Sequence, residues 1–297
     1  MAWRQFVMRL DALEIDAVEA VFERCGASSI TFMDAGDDPV LEPGPGETPL
    51  WTDTTITGLF TSDLDLSQLV ATLLSELDLN ALPSHRIEDL EDRAWEREWL
   101  QDFGPMRFGR RLWIVPKGAQ HPTDDDVVIH LDPGLAFGSG THATTALCLE
   151  WLDGQMLLGK ALLDYGCGSG ILAIAGLKLG CSSAVGMDID PQAVIATRQN
   201  AADNEIGDKL RVCRSASEIE GDFDVLVANI LARPLVEFAE SITLTLRRGG
   251  MLALSGVLCE QADEVMATYE PWIEFDKPVF KKQDGQIWSR LTGKRRT

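Results

Sequence analysis

Long apolar runs are missing from this sequence. No stretch approaches the ~20 residues needed to cross a bilayer, which excludes a helical membrane protein. The opening segment, MAWRQFVMRL, alternates polar and apolar residues. It lacks the unbroken apolar stretch of a signal peptide and is expected to form a first strand. Cysteine occurs six times, at 25, 148, 167, 181, 213 and 259, with no CxxC and no Cys/His pairing at metal-ligand spacing. The cysteines are therefore read as reduced thiols of a cytoplasmic protein. His85, His121 and His130 lack metal spacing too, and no internal repeat is present.

Basic residues are scarce. There are 26 Lys and Arg against 47 Asp and Glu, a formal charge of −21. Residues 1–100 hold 21 acidic against 6 basic side chains, a net of −15, and the remainder holds 26 against 20, a net of −6. Such a surface repels nucleic acid and anionic membrane and attracts basic partners at long range. Two explanations stand: a general solubility bias, or a basic protein substrate.

What is present is ordinary for a soluble protein with a sizeable core: 297 residues, 45% hydrophobic and 25% charged, with room for two domains. Residues 3–10 alternate as a strand, and 13–25 carry Leu13, Val18, Val21 and Phe22 at near-helical spacing before Gly26. Ser29–Met33 and Thr54–Thr61 are expected strands, separated by a Pro/Gly-rich loop over 34–49. Asp65 or Ser67 would cap a helix running to Leu77, and Arg86–Leu90 is a fourth strand. The order βαββαβ predicts a small split-βαβ sandwich over residues 1–90. Residues 91–120 are a linker: a helix over 91–102 with Trp95 and Trp99 on one face, then a strand pair over 106–116.

Residues 121–297 are expected to form a second domain, in which strands and helices alternate from 127 onwards. Strands are expected at 127–131, 161–165, 184–188, 210–214, 223–229 and 250–255. Helices are expected at 144–152, 171–179, 191–204, 234–245 and 260–269. The chain closes with strands at 277–282 and 287–292 around Asp284-Gly285, a hairpin signal. This predicts an α/β domain with a mostly parallel sheet, covered on both faces and ending in an antiparallel hairpin.

Chemistry concentrates in LLDYGCGSGILAIA, Leu162 to Ala175. A buried strand ends near Asp164, and Gly166, Gly168 and Gly170 turn the chain into a helix. Glycine lets backbone approach a ligand closely at a strand's C-terminal end. The usual dinucleotide spacing, G-x-G-x-x-G, presents helix N–H groups to a pyrophosphate. Here the spacing is G-x-G-x-G beside an acid, which disfavours phosphate and suits S-adenosylmethionine (SAM), with its ammonium and sulfonium. Asp188 follows 22 residues after Gly166 at the end of the next strand, where an acid accepts hydrogen bonds from ribose hydroxyls. Asp190 suits the cap of the helix that Pro191 opens.

A third element is Asn229, at the end of FDVLVAN and before Ile230-Leu231-Ala232-Arg233-Pro234. Its amide carbonyl would accept an N–H of a neutral amine and aim the lone pair for methyl transfer. A plain turn-forming Asn at a strand end is the competing explanation. The turn lacks the Pro-Pro-aromatic that would stack a flat amide or base. Methylation of nucleic acid or glutamine, a nicotinamide-dependent oxidoreductase and a non-catalytic ribosomal-protein binder are the alternatives. His142 is expected to bond to backbone rather than act as a base, and Cys167 to be a small loop residue.

DPGLAFGSGTHATT (132–145), with LLDYGCGSGILAIA, VGMDIDPQAV, LVANILARPL and LSGVLCEQADEV, closely resembles the bacterial ribosomal protein L-eleven methyltransferase family. Segments 95–99 and 105–113 extend the likeness over the whole chain. The resemblance implies a class I SAM-methyltransferase fold and an N-terminal domain that captures a basic ribosomal protein. It implies methylation of lysine ε-amines and the N-terminal α-amine of that protein. It places SAM against Thr145, Gly166, Asp188 and Asn229, with Phe137 and Thr141 covering its methionine part. Gly168 and Asp164 join them from the glycine loop. Ala143 and Ser139 stand where the family commonly has Pro and Thr.

Overall fold

In the computed structural model, residues 3–11, 13–34, 53–90, 104–119, 126–131 and 140–297 are described. The chain divides into two compact units, Met1–Arg97 and Glu98–Thr297.

In the first unit, β1 (Trp3–Arg9), α1 (Ile15–Arg24), β2 (Ser29–Asp34), β3 (Thr54–Thr61), α2 (Leu66–Glu76) and β4 (His85–Leu90) follow one another. The strands form an antiparallel sheet in the order β2-β3-β1-β4, the split-βαβ arrangement expected from the sequence. Val18, Val21 and Phe22 of α1 and Leu66, Leu69 and Leu73 of α2 are buried, the stripe that a 3.6-residue period puts on one face. They pack with Phe6, Met8 and Phe60, and the Phe6 and Phe22 rings meet edge-on at 5.7 Å. Asp65 caps α2 by accepting the Ser67 amide at 2.9 Å. Trp95, Trp99 and the helix expected over 91–102 lie outside the described residues, as does most of the loop expected over 34–49.

The second unit opens with a three-stranded sheet of β5 (Met106–Phe108), β6 (Leu112–Val115) and β7 (Val127–His130). Its continuation is α3 (Ala143–Asp153), β8 (Ala161–Tyr165), α4 (Ile171–Lys178), β9 (Ser183–Met187), α5 (Pro191–Asp203), β10 (Leu210–Cys213) and β11 (Phe223–Asn229). Then come α6 (Ala232–Glu237), α7 (Ala239–Leu244), β12 (Leu246–Leu258), α8 (Ala262–Tyr269), β13 (Ile273–Phe275), β14 (Val279–Gln283) and β15 (Gln286–Arg295). The main sheet runs β10-β9-β8-β11-β12-β15-β13, with β14 also paired to β15. Its first five strands are parallel, and β15 runs antiparallel to β12, β13 and β14. Both faces are covered. Leu162, Val225 and Val227 enter one core, while Leu163, Leu226 and Ala228 enter the other. That is why β8 and β11 read as continuous apolar runs rather than alternations.

The structure departs from the sequence-based expectations in several elements. Val127–His130 does not join the main parallel sheet; it pairs parallel to β6, and Asn204 grips the His130 backbone from both sides, at 2.8 and 2.7 Å. The strand pair expected over 106–116 thus shares a small three-stranded sheet with Val127–His130. The helix expected over 234–245 breaks at Phe238, whose φ of −102° and ψ of 15° leave the helical well. Bonds from Phe238 N to Pro234 O and from Ile242 N to Phe238 O carry the ladder across the kink. The strand expected at 250–255 is part of a thirteen-residue β12, and the short edge strand β13 was not anticipated.

Candidate active site

The strand order reverses between β8 and β11: the chain leaves β8 towards β9 on one side and leaves β11 towards β12 on the other. The C-terminal ends of such strands flank the ligand crevice of an open α/β sheet. Asp164, Asp188 and Asn229 stand at or just after the ends of β8, β9 and β11.

Asp164 is almost fully buried. Its Oδ2 accepts the amide of Ala173, three residues into α4, at 3.0 Å. The N-cap of α4 is Gly170, which has no side chain, so Asp164 supplies the missing acceptor from the strand before it. Its Oδ1 is buried with no hydrogen-bond partner among the described residues. Burial, with Asp188 adding to it, pushes its pKa up to about 7 against the pull of the Ala173 bond.

The loop between them is folded by glycine. Gly166 and Gly170 have φ of +78° and +79°. A Cβ on Gly166 would lie 2.2 Å from Ile230 Cγ2, and one on Gly170 would lie 2.6 Å from Thr197 Cγ2. The Gly166 and Cys167 amides both donate to Met187 O, at 2.7 and 3.0 Å, which bends the loop over β9. Helix α5 staples it from behind: Thr197 Oγ1 donates to Gly168 O at 2.9 Å and Asn200 Nδ2 donates to Ser169 O at 2.8 Å. Asp188 ties it from the side, accepting the Gly168 amide at 2.8 Å on Oδ2 and the Asp190 amide at 3.0 Å on Oδ1. One lone pair on each oxygen remains for other donors. Asp190 caps α5 through the Gln192 amide at 2.9 Å. Cys167 is buried beside Thr197, at 3.4 Å, and burial holds its thiol far above the ordinary range, so it is no nucleophile.

Asn229 ends β11. Its Nδ2 donates to Thr145 Oγ1 at 3.2 Å, and its Oδ1 is buried without a partner among the described residues. Thr145 is fully buried in the first turn of α3. His142 is the N-cap of that helix: its Nδ1 lies 2.7 Å from Thr144 Oγ1 and 3.4 Å from the Thr144 amide. Burial lowers its pKa, Asp284 opposing, which keeps the ring neutral and able to accept. Thr141 is exposed just before it, and Phe137 lies outside the described residues. The structure thus brings Asp164, Gly166, Gly168, Asp188, Asn229 and Thr145 to one edge of the sheet. Thr197 and Asn200 were missed. The only trace of Thr197 in the sequence is a hydroxyl on the apolar stripe Ala193, Val194 and Ala201 of α5.

Two buried acceptors without donors among the described residues, a carboxylate with lone pairs to spare and a loop that a Cβ would fill suit a donor-rich, cationic nucleoside. They fit SAM. Among the described residues no group of His, Cys, Asp or Glu could hold a metal ion.

Fold and site together define a class I SAM-dependent methyltransferase. A family model described as ribosomal protein L11 methyltransferase (PrmA) matches residues 2–296, and the chain belongs to that family. Proteins of that description from Pseudomonas aeruginosa (strain LESB58) and Salmonella heidelberg (strain SL476) are 50% and 48% identical over 297 residues. The matches cover 100% of this chain and 99% and 100% of those proteins. A crystal structure of ribosomal protein L11 methylase from Lactobacillus delbrueckii subsp. bulgaricus aligns with a TM-score of 0.58 at 30% identity. It covers 66% of this chain and 99% of that one.

Proposed function

We propose that this chain methylates ribosomal protein L11, on lysine ε-amines and on the N-terminal α-amine. The observation that carries the proposal is the Asn229 amide, with Nδ2 donating to Thr145 and Oδ1 buried with no partner among the described residues. An acceptor held this way takes one N–H of an incoming amine and turns its lone pair into the crevice. The amine must be neutral, and free lysine has a pKa near ~10.4. A buried, uncharged amide favours the neutral amine, because it desolvates the ammonium without offering a counter-charge. Bound SAM supplies a methyl group made electrophilic by its sulfonium.

The remaining roles follow from the same edge. Asp188 would accept ribose hydroxyls on its unused lone pairs, and Asp164 would offer its Oδ1 to the ammonium. Gly166 and Gly168 would admit the ligand to the backbone, and Thr145 would hold the Asn229 amide against it; by the family resemblance alone, Thr141 and Phe137 would cover its methionine part. The net charge of −15 on residues 1–100 suits capture of a basic ribosomal protein by the N-terminal unit, by steering that weakens with salt. The same charge opposes direct nucleic-acid or anionic-membrane binding. All six cysteines are free, which fits the reducing cytoplasm, and no helix among the described residues is long and apolar enough to cross a membrane.

The test is label transfer from SAM to purified L11, read by mass spectrometry of the product. Transfer to its amines is expected, and no transfer would reject the substrate. Asn229→Ala should lower kcat about 10²-fold, with SAM affinity changed far less. Equal losses in both would make Asn229 a binding residue.

A further inference from the structure

The hairpin β14–β15 has no part in the site as described, yet one of its faces grips α3. Lys281 pairs with Trp288 across the hairpin, Gln283 with Gln286, and Val279 with Arg290. Directly paired residues point to the same side, and so do alternate residues along each strand. Lys281, Gln283, Trp288 and Arg290 therefore share a face, and each reaches the same helix. Gln283 Oε1 accepts the amide of Ala143, the first residue of α3, at 2.5 Å. The Trp288 ring meets that of His142, the N-cap, edge-on at 4.7 Å and 72°. Lys281 Nζ lies 3.0 Å from Glu150 Oε1, and Arg290 Nη1 donates to Leu147 O at 2.7 Å.

The first turn of a helix has donors that its own backbone cannot satisfy. In α3 the Thr144 amide turns to His142, and the Ala143 amide turns to Gln283. Two residues on stands Thr145, whose hydroxyl holds the Asn229 amide. Resting on the roles proposed above for Thr145 and Asn229, the geometry points to Gln283 and Trp288 as positioning residues for methyl transfer. They act through the first turn of α3, fixing where Thr145 and hence Asn229 Oδ1 stand. The hairpin is thereby a working wall of the site, not only the end of a sheet.

The experiment uses the full-length chain with SAM titration by calorimetry, single-turnover methyl transfer to L11 and hydrogen exchange. Gln283→Ala is expected to speed exchange of the Ala143 amide at least tenfold, to raise the Kd for SAM about fivefold and to lower kcat about tenfold. Gln283→Glu restores an acceptor oxygen at a helix N-terminus, where negative charge is favoured, and should return within twofold of the parent. Lys281→Ala removes a contact from the same face two turns further along α3 and should leave Kd and kcat within twofold. Gln283→Ser, too short to reach Ala143, repeats the test if the alanine variant does not fold. Faster Ala143 exchange with unchanged Kd and kcat would overturn the inference, as would losses as large in Lys281→Ala. Thr145→Ala and Asn229→Ala separate the two levels. If both leave binding and turnover intact, the proposed site itself falls; if they impair it while Gln283→Ala does not, only the hairpin's role falls.

Discussion

Gly256 lies in β12 and touches the proposed site only from behind. The strand bulges there: the pairing with β15 shifts register between Ser255 and Val257, and Gly256 has φ of +85°. Ser255, the residue before it, is the register partner of Asn229. A Cβ on Gly256 would lie 2.2 Å from Ile230 O, 2.7 Å from Ile230 C and 3.0 Å from Ile230 N. These are backbone atoms, so no rotamer change relieves the clash. Gly256→Ala adds about 1–2 kcal/mol for a left-handed alanine and about 1–3 kcal/mol for overpacking. At roughly 2–4 °C per kcal/mol for a unit of this size, the midpoint should fall by about 4–20 °C. Relief comes by pushing Ile230 away, and Ile230 joins directly to Asn229. Its Cγ2 also occupies the space that a Cβ on Gly166 would need. A misplacement of about 1 Å in a positioning group costs about 10² in rate. Single-turnover transfer at saturating SAM, measured well below the midpoint, should therefore slow by tenfold to a hundredfold, and SAM should bind more weakly. A lowered midpoint with parental turnover and affinity would confine Gly256 to the scaffold. An unchanged midpoint would refute the steric reasoning itself.

Asp188→Ala removes both the ribose acceptor and the tether of Gly168, and hydrogen bonds to a charged group are worth about 1.5–3 kcal/mol. SAM affinity by calorimetry should drop roughly tenfold to a hundredfold, and an unchanged Kd would remove Asp188 from the site. Thr145→Val keeps the shape but takes away the acceptor of Asn229 Nδ2. At about 1 kcal/mol for a neutral bond, kcat should fall about fivefold, with Thr145→Ser restoring it; failure of the serine to rescue would assign the loss to packing. Asp164 sets a pH dependence. Its pKa rises from 3.8 to about 7 on folding, so the folded chain keeps a proton that the unfolded chain releases. Its contribution to stability is full below the unfolded value and drains as pH climbs towards about 7. Asp164→Asn should thus gain on the parent in thermal midpoint between pH 5 and pH 7.5, and a gap that stays constant would contradict the buried, proton-retaining carboxylate.

Much of the fold could be read from local pattern. The runs at 161–165 and 223–229 are apolar because both faces of their strands are covered, and each is closed by a polar or glycine signal. Strand partners were another matter. Periodicity identifies Val127–His130 as a strand but is silent on what it pairs with. Its place beside β6 is set partly by Asn204, 74 residues away. The three residues of β13 are too few for any period to show. The break at Phe238 interrupts a pattern whose hydrogen bonds continue on both sides, so the spacing of apolar residues does not betray it.

The site divides along the same line. Its local half was visible because turns at strand ends demand particular residues: glycine where φ is positive, an acid or amide where a ligand edge needs an acceptor. Its other half is built by contact at a distance. Thr197 reaches Gly168 over 29 residues, Asn229 reaches Thr145 over 84, and Ala143 reaches Gln283 over 140. The hairpin shows how near local pattern comes. Asp284 and Gly285, with φ of 49° and 81°, form the tight turn read from their identities. That turn dictates the register, and the register puts Lys281, Gln283, Trp288 and Arg290 on one face. A mixed face of one lysine, one glutamine, one tryptophan and one arginine reads as ordinary surface. It becomes part of an active site only because β15 lies against β12, which brings that face onto α3 and so onto Thr145.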